Sequence, residues 1–208
     1  MTGIKKENEE FEDILSDDEL EKRLVSKGTS QLIIMPKIGL RIKGGSIDLR
    51  TGTKFIITKR ARYPVFDPIK KSDPLEILEK ITVPFNKSLV LHPGQLILAI
   101  TLEYICLPCD IAGEIVTRSS FGRIGLITAT ATYIHPGYKG CPTLELYNCG
   151  ETPIIIYPAM RITQIILRKH RASVKNLASK YSLATEPEYP KIWDDWDIEI
   201  LNSIHNKK

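Results

Sequence analysis

Between Gln31 and Lys169 the chain is rich in Ile, Val, Leu and Thr, and these residues form short apolar runs. Glycine and proline turns separate the runs, without the strand–helix alternation of a doubly wound sheet. The runs that predict strands are QLIIMP, SIDLRTG, KFIITK, KSLVLHPG, QLILAITLEYI, AGEIVTR, PTLELYN, ETPIIIYP and MRITQIILRK. Many short strands at this spacing predict a mainly β protein, either a sandwich or a barrel.

The region before the strands has a different pattern. Residues 1–15 predict a flexible acidic arm. Ser16 followed by Glu19 fits a capping box, so DDELEKRLVSKG predicts a short helix that ends at Gly28. The fold class expected is therefore a β domain preceded by a short N-terminal helix.

Three further segments interrupt or follow the strands. Residues 62–80 contain several prolines and predict a long loop, and RASVKNLASKY predicts a short helix. Residues 186–208 predict an acidic C-terminal tail with two tryptophans, which packs on its own body or binds a partner. One β domain over residues 16–185 is therefore expected between two extensions.

Composition narrows the class of protein. The chain has 208 residues, of which 42% are hydrophobic and 26% are charged, as in an ordinary globular domain. No apolar run approaches the ~20 residues that span a bilayer, so no membrane association is expected. The acidic N-terminus does not resemble a secretory signal. With four cysteines, a cytoplasmic protein with reduced thiols is predicted.

Charge is distributed unevenly along the chain. Residues 1–24 and 186–199 each carry a net charge of −5, and Lys207 and Lys208 add two positive charges. Because the total is +4, residues 25–185 carry a net charge of +12. A basic body suits an anionic ligand such as nucleic acid or a nucleoside triphosphate. A solvated surface of mixed charge is the alternative.

The segment from Arg118 to Gly125 is the richest in possible chemistry. It holds two arginines, two serines and two glycines directly after an apolar strand. Exposed backbone N–H groups with arginine and serine donors form a cradle for an anion. A basic surface loop would have the same composition, so both interpretations stay open.

Glu145 is the main candidate for acid–base chemistry. In TLELYN, Leu144 and Leu146 share one face of the predicted strand, and Glu145 lies on the other face with Thr143 and Tyr147. A carboxylate between large apolar residues can serve as a general acid or base. A solvent-facing strand position is the alternative.

The segment from Tyr133 to Gly140 predicts a hairpin with a polar, aromatic rim, in which His135 is either structural or a base. Cys106 and Cys109 form a C-x-x-C pair, but a zinc ribbon requires a second pair. The His-x-Glu motif of zinc deaminases is also missing. The cysteines are therefore interpreted as small apolar residues in strands rather than as zinc ligands.

Several motifs in order resemble the dCTP deaminases, which belong to the same superfamily as the trimeric dUTPases. The resemblance covers roughly residues 14 to 185. The motifs that carry it are DDELEKRL, GGSIDLRTGTKF, LHPGQLILAITLEYICLP, RSSFGRIGL, Thr130-Ala131, IHPGYKG, TLELYN and YPAMRITQIIL. It implies a distorted β-barrel or jelly roll of the dUTPase-like type. It also implies a homotrimer with active sites between subunits, no zinc, and Mg²⁺ bound with the triphosphate.

The resemblance assigns roles to individual residues. Glu145 matches the catalytic carboxylate, which takes a proton from water and delivers one to N3 of cytosine. Ser119 and the main chain of Ala131 match the groups that hold this water, and Arg123 matches the arginine that lies near water and carboxylate. The activity implied is hydrolytic deamination of dCTP to dUTP and ammonia.

Further positions match nucleotide contacts. These positions are Arg118, Ser120, His135, Tyr138, Gln164, Lys180 and Tyr181. Tyr138 matches the aromatic residue under the deoxyribose, and Arg118 and Ser120 match phosphate contacts. The family usually has Asp at the position of His135 and Gln at that of Ala184. A dUTPase, a bifunctional enzyme and a decayed nucleotide-binding regulator are the alternatives, whereas binding of nucleic acid is not expected.

Overall fold

The computed structural model describes residues 14–59, 66–69, 77–129, 132–170 and 180–205. The predicted N-terminal helix is α1, Asp17–Val25. It begins at Ser16, whose hydroxyl accepts a hydrogen bond from the backbone N–H of Glu19 at 3.3 Å. Leu20 and Leu24 are both buried, so the helix packs one apolar face on the strands.

The described chain contains thirteen strands. They are β1 Ile33–Met35, β2 Ser46–Thr58, β3 Leu78–Thr82, β4 Leu89–Leu91, β5 Leu96–Thr101, β6 Tyr104–Cys106, β7 Ile111–Thr117, β8 Leu126–Thr128, β9 Tyr133–Ile134, β10 Lys139–Gly140, β11 Thr143–Asn148, β12 Ile154–Ile156 and β13 Arg161–Lys169. A four-residue helix, α2 (Ser119–Gly122), lies between β7 and β8. Near the C-terminus, a 3₁₀ turn spans Ile192–Asp194 and α3 spans Trp196–His205.

The strands form one large curled sheet and two small ones. The large sheet has the order β8-β11-β5-β2-β13-β7-β9, and β3 also pairs with β2. The small sheets have the orders β1-β6-β10 and β12-β4. The mainly β fold class with a short N-terminal helix, predicted from sequence, is confirmed.

The long strand β2 bends the large sheet. Its first half pairs with β13 and its second half with β5, with a register shift between Thr51 and Phe55. Gly52 lies at this shift, where a Cβ atom would come within 2.7 Å of the Ile100 side chain. Glycine is therefore required for the close approach of β2 and β5.

The core lies inside this curl. Ile47, Leu49 and Phe55 of β2 are fully buried, as are Leu144 and Leu146 of β11. The alternation along β11 leaves Thr143, Tyr147 and the predicted catalytic carboxylate, Glu145, on the other face, where all three are half-buried.

Two sequence predictions are wrong. The segment from Tyr133 to Gly140 is not a hairpin, because β9 pairs with β7 whereas β10 pairs with β6 in another sheet. The turn at Gly137, with φ of 76°, carries the chain between the two sheets. The predicted loop 62–80 also contains the start of β3, which pairs with β2.

Several predicted segments lie wholly or largely outside the described residues. They are most of the acidic arm, much of the 62–80 loop and most of the segment RASVKNLASKY. The C-terminal tail is described up to residue 205, and it contacts the β domain. Glu186 forms ion pairs with Lys54 at 3.3 Å and Lys80 at 3.9 Å. The described helices include none that is long and apolar enough to cross a membrane.

Candidate active site

A cavity of about 400 Å³ opens beside β11. Glu145, His135 and Tyr138 line it, together with Tyr181 and Glu188 from the C-terminal segment. The cavity therefore brings together four of the residues predicted to act on a nucleotide. Its wall combines aromatic rings with carboxylates, which suits a ligand with both a flat apolar face and polar edges.

Neighbouring strands hold Glu145 in place. It faces Leu98 of β5 across the sheet, and its backbone carbonyl accepts a hydrogen bond from the N–H of Ala129 at 2.7 Å. The side chain is half-buried. A carboxylate on a strand bonded on both sides has a well-defined position, which general acid–base catalysis requires.

Tyr138 forms a buried floor in the same cavity, with 8% of its surface exposed. Burial, with smaller effects of Cys141, Tyr104 and Glu188, raises the pKa of the Tyr138 phenol, so the group stays protonated at neutral pH. The exposed ring of His135 packs edge-on against Tyr133, with 4.9 Å between centroids. An uncharged aromatic floor and an exposed imidazole thus face one space.

A second cavity of about 220 Å³ is strongly polar. Arg118, Ser119, Ser120 and Gln164 line it, all predicted from sequence to contact a nucleotide or water. The structure adds four lining residues that sequence reasoning missed: Arg41, Lys43, Ser46 and Asp48. These four lie near the start of β2; Ser46 and Asp48 belong to the motif GGSIDLRTGTKF, to which the sequence analysis assigned no ligand contact.

Asp48 orients the guanidinium of Arg118. Oδ1 of Asp48 lies 3.3 Å from Nε of Arg118, and Oδ2 lies 3.5 Å from Nη1 of Arg161. Arg118 also donates a hydrogen bond from Nη1 to the backbone carbonyl of Arg161 at 2.8 Å. Two positive side chains thus share one buried carboxylate, which leaves an excess of positive charge beside the serines.

Other predicted site residues lie elsewhere. Arg123 is exposed at the end of α2, where its N–H donates to the carbonyl of Ser119 at 3.1 Å, and it does not line either of these two cavities. Ala131 lies outside the described residues. Lys180 forms an ion pair with Asp195, and this hydrogen-bonded partner raises the pKa of Lys180. The ammonium of Lys180 also donates to the carbonyl of Lys191 at 3.1 Å.

Metal ligands do not cluster in the part of the chain that the structure describes. Within it, no three His, Cys, Asp or Glu side chains are placed to hold an ion together. All four cysteines are free thiols, and Cys141 is buried.

Comparison with known proteins decides the family. A family model described as dCTP deaminase-like matches residues 14–170. The chain belongs to this family. Among similar proteins, "dCTP deaminase, dUMP-forming" of Methanosphaera stadtmanae is 36% identical over 193 residues, which cover 89% of this chain and 96% of that protein. The resemblance seen in the sequence motifs is thereby confirmed.

Further proteins similar to this chain are also named dCTP deaminases. The Mycobacterium avium protein of the same name is 38% identical over 175 residues, covering 81% of this chain and 90% of that one. "dCTP deaminase" of Halorubrum lacusprofundi is 32% identical over 190 residues, with 88% and 92% covered. A crystal structure of the Agrobacterium tumefaciens 2'-deoxycytidine 5'-triphosphate deaminase has a TM-score of 0.56 and 26% identity. That match covers 75% of this chain and 47% of the solved one.

Proposed function

We propose that this protein deaminates dCTP, converting dCTP and water into dUTP and ammonia. The observation that carries the proposal is the cavity in which Glu145 faces Tyr138 and His135, in a chain whose relatives are named dCTP deaminases. Glu145 is a well-positioned carboxylate, and the aromatic floor suits a nucleoside.

Glu145 is the general base and then the general acid of this reaction. It takes a proton from water as the oxygen bonds to C4 of cytosine, and it delivers a proton to N3. The remaining proton on the added oxygen passes to the amino nitrogen, the C4–N bond breaks, ammonia leaves, and C4 becomes the carbonyl carbon of uracil. A positioned carboxylate in this role typically contributes ~10²–10⁴-fold to the rate. In the proposed mechanism, Ser119 and the main chain of Ala131 hold the attacking water, and Arg123 lies near the water and the carboxylate.

The polar cavity is the proposed triphosphate side of the site. Arg118 and Ser120 are the phosphate donors, and Gln164 lies beside them. Tyr181, which lines the first cavity, and Lys180 beside it contribute to the triphosphate side where the two cavities of neighbouring subunits would meet. Mg²⁺ would accompany the triphosphate, since magnesium is commonly held by substrate phosphates, water and one or two carboxylates. Asp48 is the one carboxylate in this lining, and Arg118 and Arg161 already engage it, so the ion would be held by substrate phosphates and water and would neutralise phosphate charge.

The deamination proposed here uses no zinc. The described residues lack a cluster of zinc ligands, and the carboxylate of Glu145 can activate water without a Lewis acid. Addition of a zinc chelator to the protein is expected to leave ammonia release unchanged.

A homotrimer with shared active sites is part of the proposal. Glu145 lines the first cavity, whereas Ser119 and Arg118 line the second. One reaction needs the base and the water-holding serine side by side. Contact between the first cavity of one subunit and the second cavity of another would bring them together.

Product analysis tests the proposed activity. The protein is incubated with dCTP and Mg²⁺, and the nucleotides are separated by chromatography. A dUTP peak with equimolar ammonia is expected. Glu145→Gln should abolish turnover while dCTP still binds, and the control Glu79→Gln changes an exposed glutamate on β3 and should behave like the parent. Binding of dCTP without any product would instead indicate a nucleotide-binding regulator.

Formation of dUMP is the second candidate function. The relatives from M. stadtmanae and M. avium are both named dUMP-forming, which favours it. Such an enzyme also cleaves the bond between the α- and β-phosphates, releasing diphosphate. His135 supplies no fixed negative charge to position water for that step. The same chromatogram separates the two functions, because dUMP and dUTP elute apart.

A further inference from the structure

The turn formed by residues 41–46, here called the basic turn, lies beside the predicted phosphate donors. Arg41 and Lys43 line the polar cavity together with Arg118, although 75 or more residues of sequence separate them from it. Neither residue belongs to the groups so far assigned to the nucleotide. Their presence in the same cavity raises the question of what they bind.

Backbone hydrogen bonds fix the basic turn on β2. The N–H of Asp48 donates to the carbonyl of Arg41 at 3.2 Å, and the N–H of Lys43 donates to the carbonyl of Ser46 at 3.0 Å. The hydroxyl of Ser46 also donates to the carbonyl of Lys43 at 2.9 Å. A turn held by three such bonds presents its side chains from a defined position.

The start of α1 supports the turn from the other side. The carboxylate of Asp17 accepts hydrogen bonds from the backbone N–H groups of Gly44 at 3.1 Å and Gly45 at 2.7 Å. Both glycines have positive φ, 62° and 74°, which residues with a side chain rarely adopt. The N-terminal helix therefore fixes the geometry of the basic turn.

The charges of the basic turn are not neutralised within the protein. Among the described residues, neither Arg41 nor Lys43 forms an ion pair with a carboxylate. Asp48 is the one acid in the cavity lining, and it is already engaged by Arg118 and Arg161. Three cations thus face one compact space with a single shared carboxylate, which favours a ligand carrying several negative charges.

We propose that Arg41 and Lys43 bind the outer phosphates of the nucleoside triphosphate and select triphosphates over monophosphates. This inference rests on the proposed function, because it extends the phosphate side of that site. Arg118 and Ser120 hold the phosphates nearer the nucleoside, and the exposed cations of the basic turn hold those farther away. The charge-assisted hydrogen bonds that Arg41 and Lys43 donate need an outer phosphate as acceptor, so they are lost when the ligand is a monophosphate.

The double variant Arg41→Gln/Lys43→Gln tests the proposal. Calorimetric titration with inorganic tripolyphosphate is expected to show affinity reduced roughly 10- to 100-fold, the effect of losing one or two charge-assisted hydrogen bonds. KM for dCTP should rise by a similar factor with kcat nearly retained, whereas binding of dCMP should not change. The control Lys87→Gln removes an exposed lysine outside both cavities and should match the parent.

Tripolyphosphate binding separates this inference from the proposed activity, because it needs no turnover. Even if the protein does not deaminate dCTP, this titration measures whether the basic turn binds phosphate groups. Unchanged tripolyphosphate affinity in the double variant would overturn the inference. Equal weakening for dCTP and dCMP would overturn it too, because that result indicates a structural role. Lys43→Arg keeps the charge and is expected to retain tripolyphosphate binding even if the double variant folds poorly.

Discussion

Glu145 and Ser119 line different cavities of the same chain. Glu145 lies on β11 in the aromatic cavity, and Ser119 begins α2 in the polar cavity. A base and a water-holding hydroxyl must both lie within hydrogen-bond reach of the attacking water. Their separation within one chain is the structural reason to expect an active site built from two copies.

Mixed trimers test the shared site. Glu145→Gln and Ser119→Ala are each expected to be nearly inactive alone. After the two variants are unfolded together and refolded in equal amounts, about a quarter of the sites should combine a wild-type Glu145 with a wild-type Ser119 from different subunits. Ammonia release should therefore recover to about that fraction of the parent rate. Mixed oligomers that stay inactive would show that each site draws both residues from one subunit.

His135→Asp is expected to promote release of diphosphate. A carboxylate at this exposed position of the aromatic cavity introduces a fixed negative charge that can hold and polarise a second water molecule. The measurement is dUMP formed from dUTP, with His135→Asn as the uncharged control of similar size. Abundant dUMP from the unaltered protein would instead show that His135 does not prevent diphosphate release.

Glu103 should make the stability of the protein depend on pH. The side chain is 1% exposed and pairs with Arg50 at 3.2 Å. Desolvation by burial raises the pKa of Glu103 above its ordinary 4.5, although hydrogen bonds from Arg50 oppose the shift. The pKa of Glu103 is therefore higher in the folded protein than in the unfolded chain. The stabilisation that results from this difference is complete below pH 4.5 and is lost as the pH rises through the pKa of the folded protein.

Urea unfolding at several pH values measures this effect. The variant Glu103→Gln cannot ionise, so the free energy of unfolding of the parent relative to this variant should fall from pH 4.5 toward neutrality. This direction agrees with the general finding that the free-energy cost of desolvating a buried ion pair can exceed the electrostatic attraction between its partners. A relative stability that increases over this range would contradict the raised pKa.

Thiol labelling should distinguish Cys141 from Cys149. Burial, with the nearby charge of Glu103, raises the pKa of Cys141 from 9.0 to about 11, whereas Cys149 is exposed. The thiolate is the reactive form, so its fraction at Cys141 is about a hundredfold below that of an ordinary cysteine. Mass spectrometry after brief treatment with iodoacetamide at pH 8 should find Cys149 modified and Cys141 intact. Protein unfolded in urea is the control, in which both should react.

Local patterns predicted the elements whose stability is decided locally. Ser16 and Glu19 mark the start of α1, because capping depends on side chains within one turn. The alternation around Leu144 and Leu146 correctly placed Glu145 on the opposite face of a strand, since the period of two is a property of the extended backbone.

Strand partners could not be predicted in the same way. The segment from Tyr133 to Gly140 has the composition of a hairpin, yet its two halves pair with β7 and β6 in different sheets. A period-two pattern states which residues share a face but not which strand lies alongside. For the same reason, the pairing of β3 with β2 was missed.

The sequence by itself determined the β-rich class, the family motifs and the chemical types of the site residues, because these depend on residue identity and short-range spacing. Tertiary structure alone decided that Arg41 and Lys43 lie beside Arg118, and that Glu145 and Ser119 line separate cavities. Those relationships depend on the bend of β2 and on pairing between strands far apart in sequence. Such long-range pairing is set by burial of the whole core, which local spacing does not encode.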